Sequence, residues 1–81
     1  MHEESKRIIV NGRCQNVRAD RLSFASVVNF VYPQADHRDL QGCSVTFVRG
    51  PEGKPSGSLR AGEEVYVQPY MVFNVALTTG A

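Results

Sequence analysis

Gly62-Glu63-Glu64-Val65-Tyr66-Val67-Gln68-Pro69-Tyr70-Met71-Val72-Phe73-Asn74-Val75-Ala76-Leu77-Thr78-Thr79-Gly80-Ala81 is the stretch on which the reading of this chain turns. Val65 and Val67 alternate with Glu64 and Tyr66, the period-2 pattern of a strand with one wet face. Met71, Phe73 and Val75 alternate in the same way with Val72, Asn74 and Ala76. Between the two lies Gln68-Pro69-Tyr70, where proline fixes φ and cannot donate to a ladder. The pattern predicts a hairpin that runs into a polar end. After Leu77 no residue is suited to a core, so the last strand is expected to be anchored while Thr78, Thr79, Gly80 and Ala81 are presented to solvent.

Upstream, Arg7-Ile8-Ile9-Val10 is followed by Asn11-Gly12 and then by Arg13 to Ala19. Asn-Gly favours a type I′ turn, because both central residues need positive φ, so the chain is expected to open with a tight antiparallel hairpin. Asp20-Arg21-Leu22-Ser23 is read as a helix start with Ser23 as N-cap. Phe24, Val27, Val28 and Val31 recur at helical spacing and make one apolar face, which Phe30 widens. Three valines are weak helix formers, so this helix needs a sheet to lie on. Tyr32-Pro33 ends it. A polar connection, Gln34 to Gly42, leads to a strand from Cys43 to Arg49 with Val45 and Phe47 on one face. Gly50 to Gly57 is a loop rich in breakers, and Ser58-Leu59-Arg60 a short extended piece.

The expected core is Ile8, Val10, Val17, Leu22, Val27, Val28, Val31, Val45, Phe47, Leu59, Val67, Met71, Phe73 and Val75. An amphipathic helix packed across one face of a mixed sheet buries these together. Strands, helix and strands in this order place the first and last strands side by side in the centre, which is a β-grasp. The fold class is α+β. The expected organisation is a flexible N-terminus over residues 1–6, one domain over 7–77 and a flexible tail over 78–81.

Bulk properties narrow the function. The chain has 81 residues and a formal net charge of +1, with 42% hydrophobic residues. That size is one small domain. Near-neutral charge argues against nucleic acid, which asks for a basic stripe. No long apolar run and no leader pattern is present, so the expected setting is cytoplasmic, away from membranes. Cys14 and Cys43 are not a disulfide framework and make no zinc spacing. Asp36, His37 and Asp39 cluster in the polar connection but lack a fourth ligand, and are read as solvated. The Gly50–Gly57 loop lacks the ending of a phosphate-binding loop, so no cofactor is expected. No nucleophile stands beside a base and no carboxylates pair at working spacing, so the chain is not read as an enzyme.

An ordered set of short motifs carries a resemblance. It comprises Val10-Asn11-Gly12-Arg13, Leu22-Ser23-Phe24, Tyr32-Pro33, Val45-Thr46-Phe47 and Arg49-Gly50. It continues with Gly57-Ser58-Leu59, Gly62-Glu63 with Val65 and Val67, and Met71-Val72-Phe73-Asn74-Val75. In this set the chain resembles the bacterial multi-ubiquitin domains and ubiquitin-like modifiers, from about Arg7 to Leu77. Two features depart from the family. Tyr70 stands where glycine is usual, and a single Gly80 followed by Ala81 stands where ubiquitin ends in two glycines.

The resemblance implies a ubiquitin-like fold and a C-terminal carboxylate that is adenylated, moved to a thiol and joined to a target amine. Its implied partners are an adenylating activating enzyme, a conjugating enzyme, a deubiquitinase-like peptidase and target proteins. It further implies an antiviral defence setting and a monomer when free. Gly80 is then the conjugated residue, because a residue without Cβ can thread a narrow channel, and Ala81 is the residue to be processed away. Ile9, Tyr66, Tyr70 and Val72 on the sheet, with Thr78 and Thr79 in the tail, are the expected partner-binding residues. Two other readings stay open: a ubiquitin-like interaction module that is never conjugated, and a sulfur carrier of the same fold with a C-terminal thiocarboxylate.

Overall fold

The computed structural model describes residues 5–34 and 42–77. The elements run β1 (Lys6–Val10), β2 (Arg13–Val17), β3 (Arg21–Ser23), α1 (Phe24–Val31), β4 (Cys43–Val48), β5 (Gly57–Leu59), β6 (Glu64–Tyr66) and β7 (Val72–Leu77). Five strands form one sheet in the order β2-β1-β7-β4-β5, and β3 pairs with β6 in a second, two-stranded sheet. β1 and β7 are parallel neighbours at the centre, and the other pairs are antiparallel. This mixed sheet with one helix against it is the ubiquitin-like β-grasp expected from the sequence.

Local chemistry explains the entry. Asn11 and Gly12 both have positive φ, 51° and 80°, as the type I′ turn between β1 and β2 requires. The Asn11 side chain then does more than tolerate the turn. Its Nδ2 donates to the Val75 carbonyl at 3.0 Å, and the Val75 N–H donates to its Oδ1 at 2.7 Å. The backbone N–H of Asn11 donates to Phe73 O at 3.0 Å. β1 has ended at Val10, so a side-chain amide continues its ladder with β7 by standing in for one peptide group.

The helix begins as expected. Ser23 is extended and its Oγ accepts from the Ser26 N–H at 3.1 Å. Phe24, Val27 and Val28 are its buried residues. The core joins them to Ile8, Val10, Val17, Leu22, Val45, Phe47, Leu59, Val65, Val67, Met71, Phe73 and Val75. Val31, expected inside, is half-buried and packs against the core with Phe30, at the residue where the helix ends. Phe24 and Val65 take places in the core that the expected set did not give them.

Three expectations about elements are corrected. The segment Arg21–Ser23 is a strand and not the first turn of the helix, and β2 stops at Val17 and not at Ala19. The segment Val65–Val67 does not form a hairpin with Met71–Val75. β6 pairs antiparallel with β3, with Leu22 opposite Val65. Phe24 N–H to Glu63 O at 3.0 Å and Val67 N–H to Asp20 O at 2.9 Å extend that pairing at both ends. The turn through Gln68-Pro69-Tyr70 hands the chain to β1 instead: Tyr70 N–H donates to Arg7 O at 2.6 Å and Ile9 N–H to Met71 O at 2.9 Å. Alternation fixes which side chains are buried, but the edge a strand pairs with depends on segments far away in sequence.

Tyr70 holds that turn at φ 65° with its side chain 58% exposed. This is the left-handed region that costs an L-residue about 1–2 kcal/mol, and it is the conformation that glycine, which the resemblance leads one to expect at this position, would adopt without that cost. Tyr70→Gly is expected to stabilise the domain by about 0.5–1 kcal/mol, after subtracting the extra freedom glycine gives the unfolded chain. Thermal denaturation checks this, and a lower melting temperature would show that the tyrosine ring contributes packing that outweighs the strain.

Candidate functional site

The uncovered face of the sheet is built by register. Ile9 lies opposite Cys14 on β2 and beside Val72 on β7, and Val72 lies opposite Val48 on β4. Paired residues project to the same face, so Cys14, Ile9, Val72 and Val48 make one row across four strands. At one strand spacing per step the row is about 14 Å long. Cys14 is exposed, Val48 is 45% exposed, and Ile9 and Val72 are half-buried. The neighbouring rows are polar: Arg7 with Asn16 on one side, and Thr46 with Asn74 and Ser58 on the other. A single apolar row bounded by polar rows can seat an apolar ridge of a partner and hydrogen-bond its flanks.

The four expected sheet residues therefore divide. Ile9 and Val72 are brought together. Tyr70 sits in the turn that enters β7, two residues before Val72. Tyr66 is elsewhere, on the two-stranded sheet, 60% exposed with its ring 5.8 Å from the Arg21 guanidinium. Arg21 is also 3.6 Å from Glu64, so this corner is a charged surface around one ring. Val48 was missed by sequence reading. Alternation with Phe47 put it on the wet face, but only the β4–β7 register sets it beside Val72.

β7 lies between β1 and β4 and is the most enclosed strand. Its burial stops at Val75: Ala76 is exposed and Leu77 is 51% exposed. The expected conjugation and processing residues Gly80 and Ala81, with Thr78 and Thr79, lie outside the described residues. So do Asp36, His37 and Asp39. Among the described residues no group of three His, Cys, Asp or Glu side chains could hold a metal ion. Neither Cys14 nor Cys43 forms a disulfide among the described residues. No helix among the described residues is long and apolar enough to cross a membrane.

Comparison with known families settles the kinship of this sheet. A family model described as multiubiquitin matches residues 6–79. The chain belongs to the multiubiquitin family. The match covers every strand of this multiubiquitin domain, including the Asn11 clamp, the Tyr70 turn and the apolar row. No curated protein and no solved structure matches the chain.

Proposed function

We propose that this multiubiquitin domain is a protein modifier, not an enzyme, whose Gly80 carboxyl is activated as an adenylate, passed to a thiol as a thioester, and conjugated to amines of target proteins. The observation that carries this reading is the course of β7. The strand is gripped on both sides through Val75 and turns its last two described residues to solvent, so the next residues in sequence, Thr78-Thr79-Gly80, start from a fixed and exposed point. An extended segment leaving a rigid strand can add to a partner's sheet and satisfy its own N–H and C=O groups there. A peptidase would free the Gly80 carboxyl from Ala81 or from whatever follows it. The apolar row is the docking surface for the activating and conjugating enzymes, and Tyr66 and Tyr70 are available at separate points on the surface. The pathway in this reading is a bacterial, ubiquitination-like antiviral defence, a setting that rests on the family resemblance alone.

The test is a charging assay with an adenylating activating enzyme and a conjugating enzyme of the ubiquitin type, taken from the gene's neighbourhood where such genes stand there. Residues 1–80 are expected to yield a thiol-sensitive adduct on a conjugating-enzyme cysteine. Val48→Asp is expected to weaken charging with the fold unchanged, since that side chain is 45% exposed. A thiocarboxylate at Gly80 and no protein adduct would favour the sulfur carrier. Stable binding of partners without any adduct would favour the interaction module.

A further inference from the structure

We propose that Asn11 is a site of covalent modification: when the clamp on Val75 opens, the Asn11 side chain closes onto the Gly12 nitrogen and loses its amide, and the closed clamp holds that reaction off. The inference goes beyond the modifier reading and does not depend on it. The chain has four asparagines, Asn11, Asn16, Asn29 and Asn74. Three of them precede Val17, Phe30 and Val75, whose side chains hinder approach to their own backbone nitrogens. Only Asn11 precedes a glycine. Gly12 has no Cβ to shield its nitrogen, and nothing lies within 4 Å of where one would stand.

Burial does not protect this pair. Asn11 and Gly12 are both exposed, so water reaches them. The restraint is hydrogen bonding. Asn11 Nδ2 donates to Val75 O at 3.0 Å and Oδ1 accepts from the Val75 N–H at 2.7 Å, so both ends of the carboxamide are aimed at β7. The Asn11 N–H, bonded to Phe73 O at 3.0 Å, pins the backbone of the same residue at φ 51°. Ring closure needs Cγ to swing over the Gly12 nitrogen and become tetrahedral. That takes the carboxamide out of line with Val75 and undoes both of its bonds. The ladder between β1 and β7 has only two residue pairs, Ile9 with Val72 and Val10 with Phe73. The clamp therefore guards the end of a short pairing, the kind of place where local opening starts.

In the reaction the deprotonated Gly12 nitrogen attacks Asn11 Cγ. The new C–N bond forms, the bond from Cγ to Nδ2 breaks, and ammonia leaves with the proton that Gly12 gave up. Water then adds to either carbonyl of the five-membered imide and opens it. The product at position 11 is aspartate, or isoaspartate with the main chain rerouted through the side chain. Either one sets a carboxylate against the Val75 carbonyl where an N–H donor had been, and lowers the formal net charge by one from +1. The modified chain cannot rebuild the clamp, so the change runs one way.

The experiment incubates the full chain in mildly alkaline native buffer and in denaturing guanidinium chloride. A peptide of residues 8–15 in both solutions corrects for the solvent. Tandem mass spectrometry with electron-transfer fragmentation locates the aspartate and isoaspartate. Deamidation is expected at Asn11, roughly 10- to 100-fold slower in the native chain after correction, on the scale of two net hydrogen bonds. Across low guanidinium concentrations its rate should rise in step with hydrogen exchange at the Val75 N–H, because both report the same opening. Chains deamidated while unfolded and then returned to native buffer should exchange the Val75 N–H about tenfold faster than the parent. A native rate equal to the corrected unfolded one would show that the clamp protects nothing. Deamidation centred on Asn16, Asn29 or Asn74, a rate that does not follow Val75 exchange, or unchanged Val75 exchange in the modified chain would each overturn the proposal.

Discussion

Asn11→Ala is expected to destabilise the domain by about 2–5 kcal/mol, a large share of the roughly 5–15 kcal/mol typical of a folded domain. Two effects add. The substitution leaves the Val75 N–H and C=O without their partners, where Asn11 had met them at 2.7 and 3.0 Å. Stranding these part-buried groups costs up to about 1–3 kcal/mol, the range for fully buried ones. It also forces a residue with Cβ to keep φ 51°, which costs a further ~1–2 kcal/mol without the local hydrogen bonding that lets asparagine tolerate it. Asn11→Gly separates the two. Glycine keeps the turn and loses only the amide, so about 1–3 kcal/mol should go. Urea denaturation of the three proteins measures both steps. Equal stability of Asn11→Gly and the parent would mean that the clamp contributes nothing and the turn alone matters. If the clamp matters, amide exchange at Val75 should rise in both variants, because that N–H loses its only described acceptor on the β1 side.

Gly80→Trp is expected to reduce conjugation by roughly 100-fold or more, on the scale that misplaced reacting groups cost. Its melting temperature should match the parent's. The two readouts separate because burial along β7 ends at Val75, five positions before Gly80. On the modifier reading, an indole at position 80 would have to enter an enzyme channel fitted to a residue without Cβ, and would crowd the carbonyl under attack. Mass spectrometry of adducts formed with the cognate enzymes supplies the first readout and calorimetry the second. Deleting Ala81 should bypass any processing peptidase. An adduct joined through Ala81 would remove processing from the scheme, and wild-type yield from Gly80→Trp would end Gly80's role as the working residue.

Much of this molecule was legible in its residues. Asn11-Gly12 announced its turn because few residues accept positive φ at two successive positions. Ser23 announced the helix entry, and the spacing of Phe24, Val27 and Val28 announced the face that lies on the sheet. Alternation in 43–48 and 71–77 separated the buried Val45, Phe47, Phe73 and Val75 from their exposed neighbours. These features are local: they depend on one residue's conformational range or on the two short periods of helix and strand. The tyrosine at position 70, in place of the usual glycine, could be read as a departure, and the structure gives it the glycine's backbone conformation.

What the tertiary structure alone decided was who stands beside whom. Residues 64–67 read as a strand, yet nothing in them names Arg21–Ser23 as the partner over the adjacent Met71–Val75. The Asn11 side chain reaches Val75 across 64 positions of sequence, a contact no turn signal contains. Val48 joins Ile9 and Val72 only when β4, β7 and β1 are set in register, and the same assembly leaves Tyr66 on another surface. Strand pairing satisfies backbone groups that are chemically alike in every residue, so its specificity comes from the fit of distant side chains in one core and not from the pairing groups themselves. The sequence by itself therefore determined most of the elements, most of the buried residues on them and the family, but not the strand at Arg21–Ser23. The neighbours of each strand, and with them the apolar row and the clamp on β7, were decided by the closing of that core.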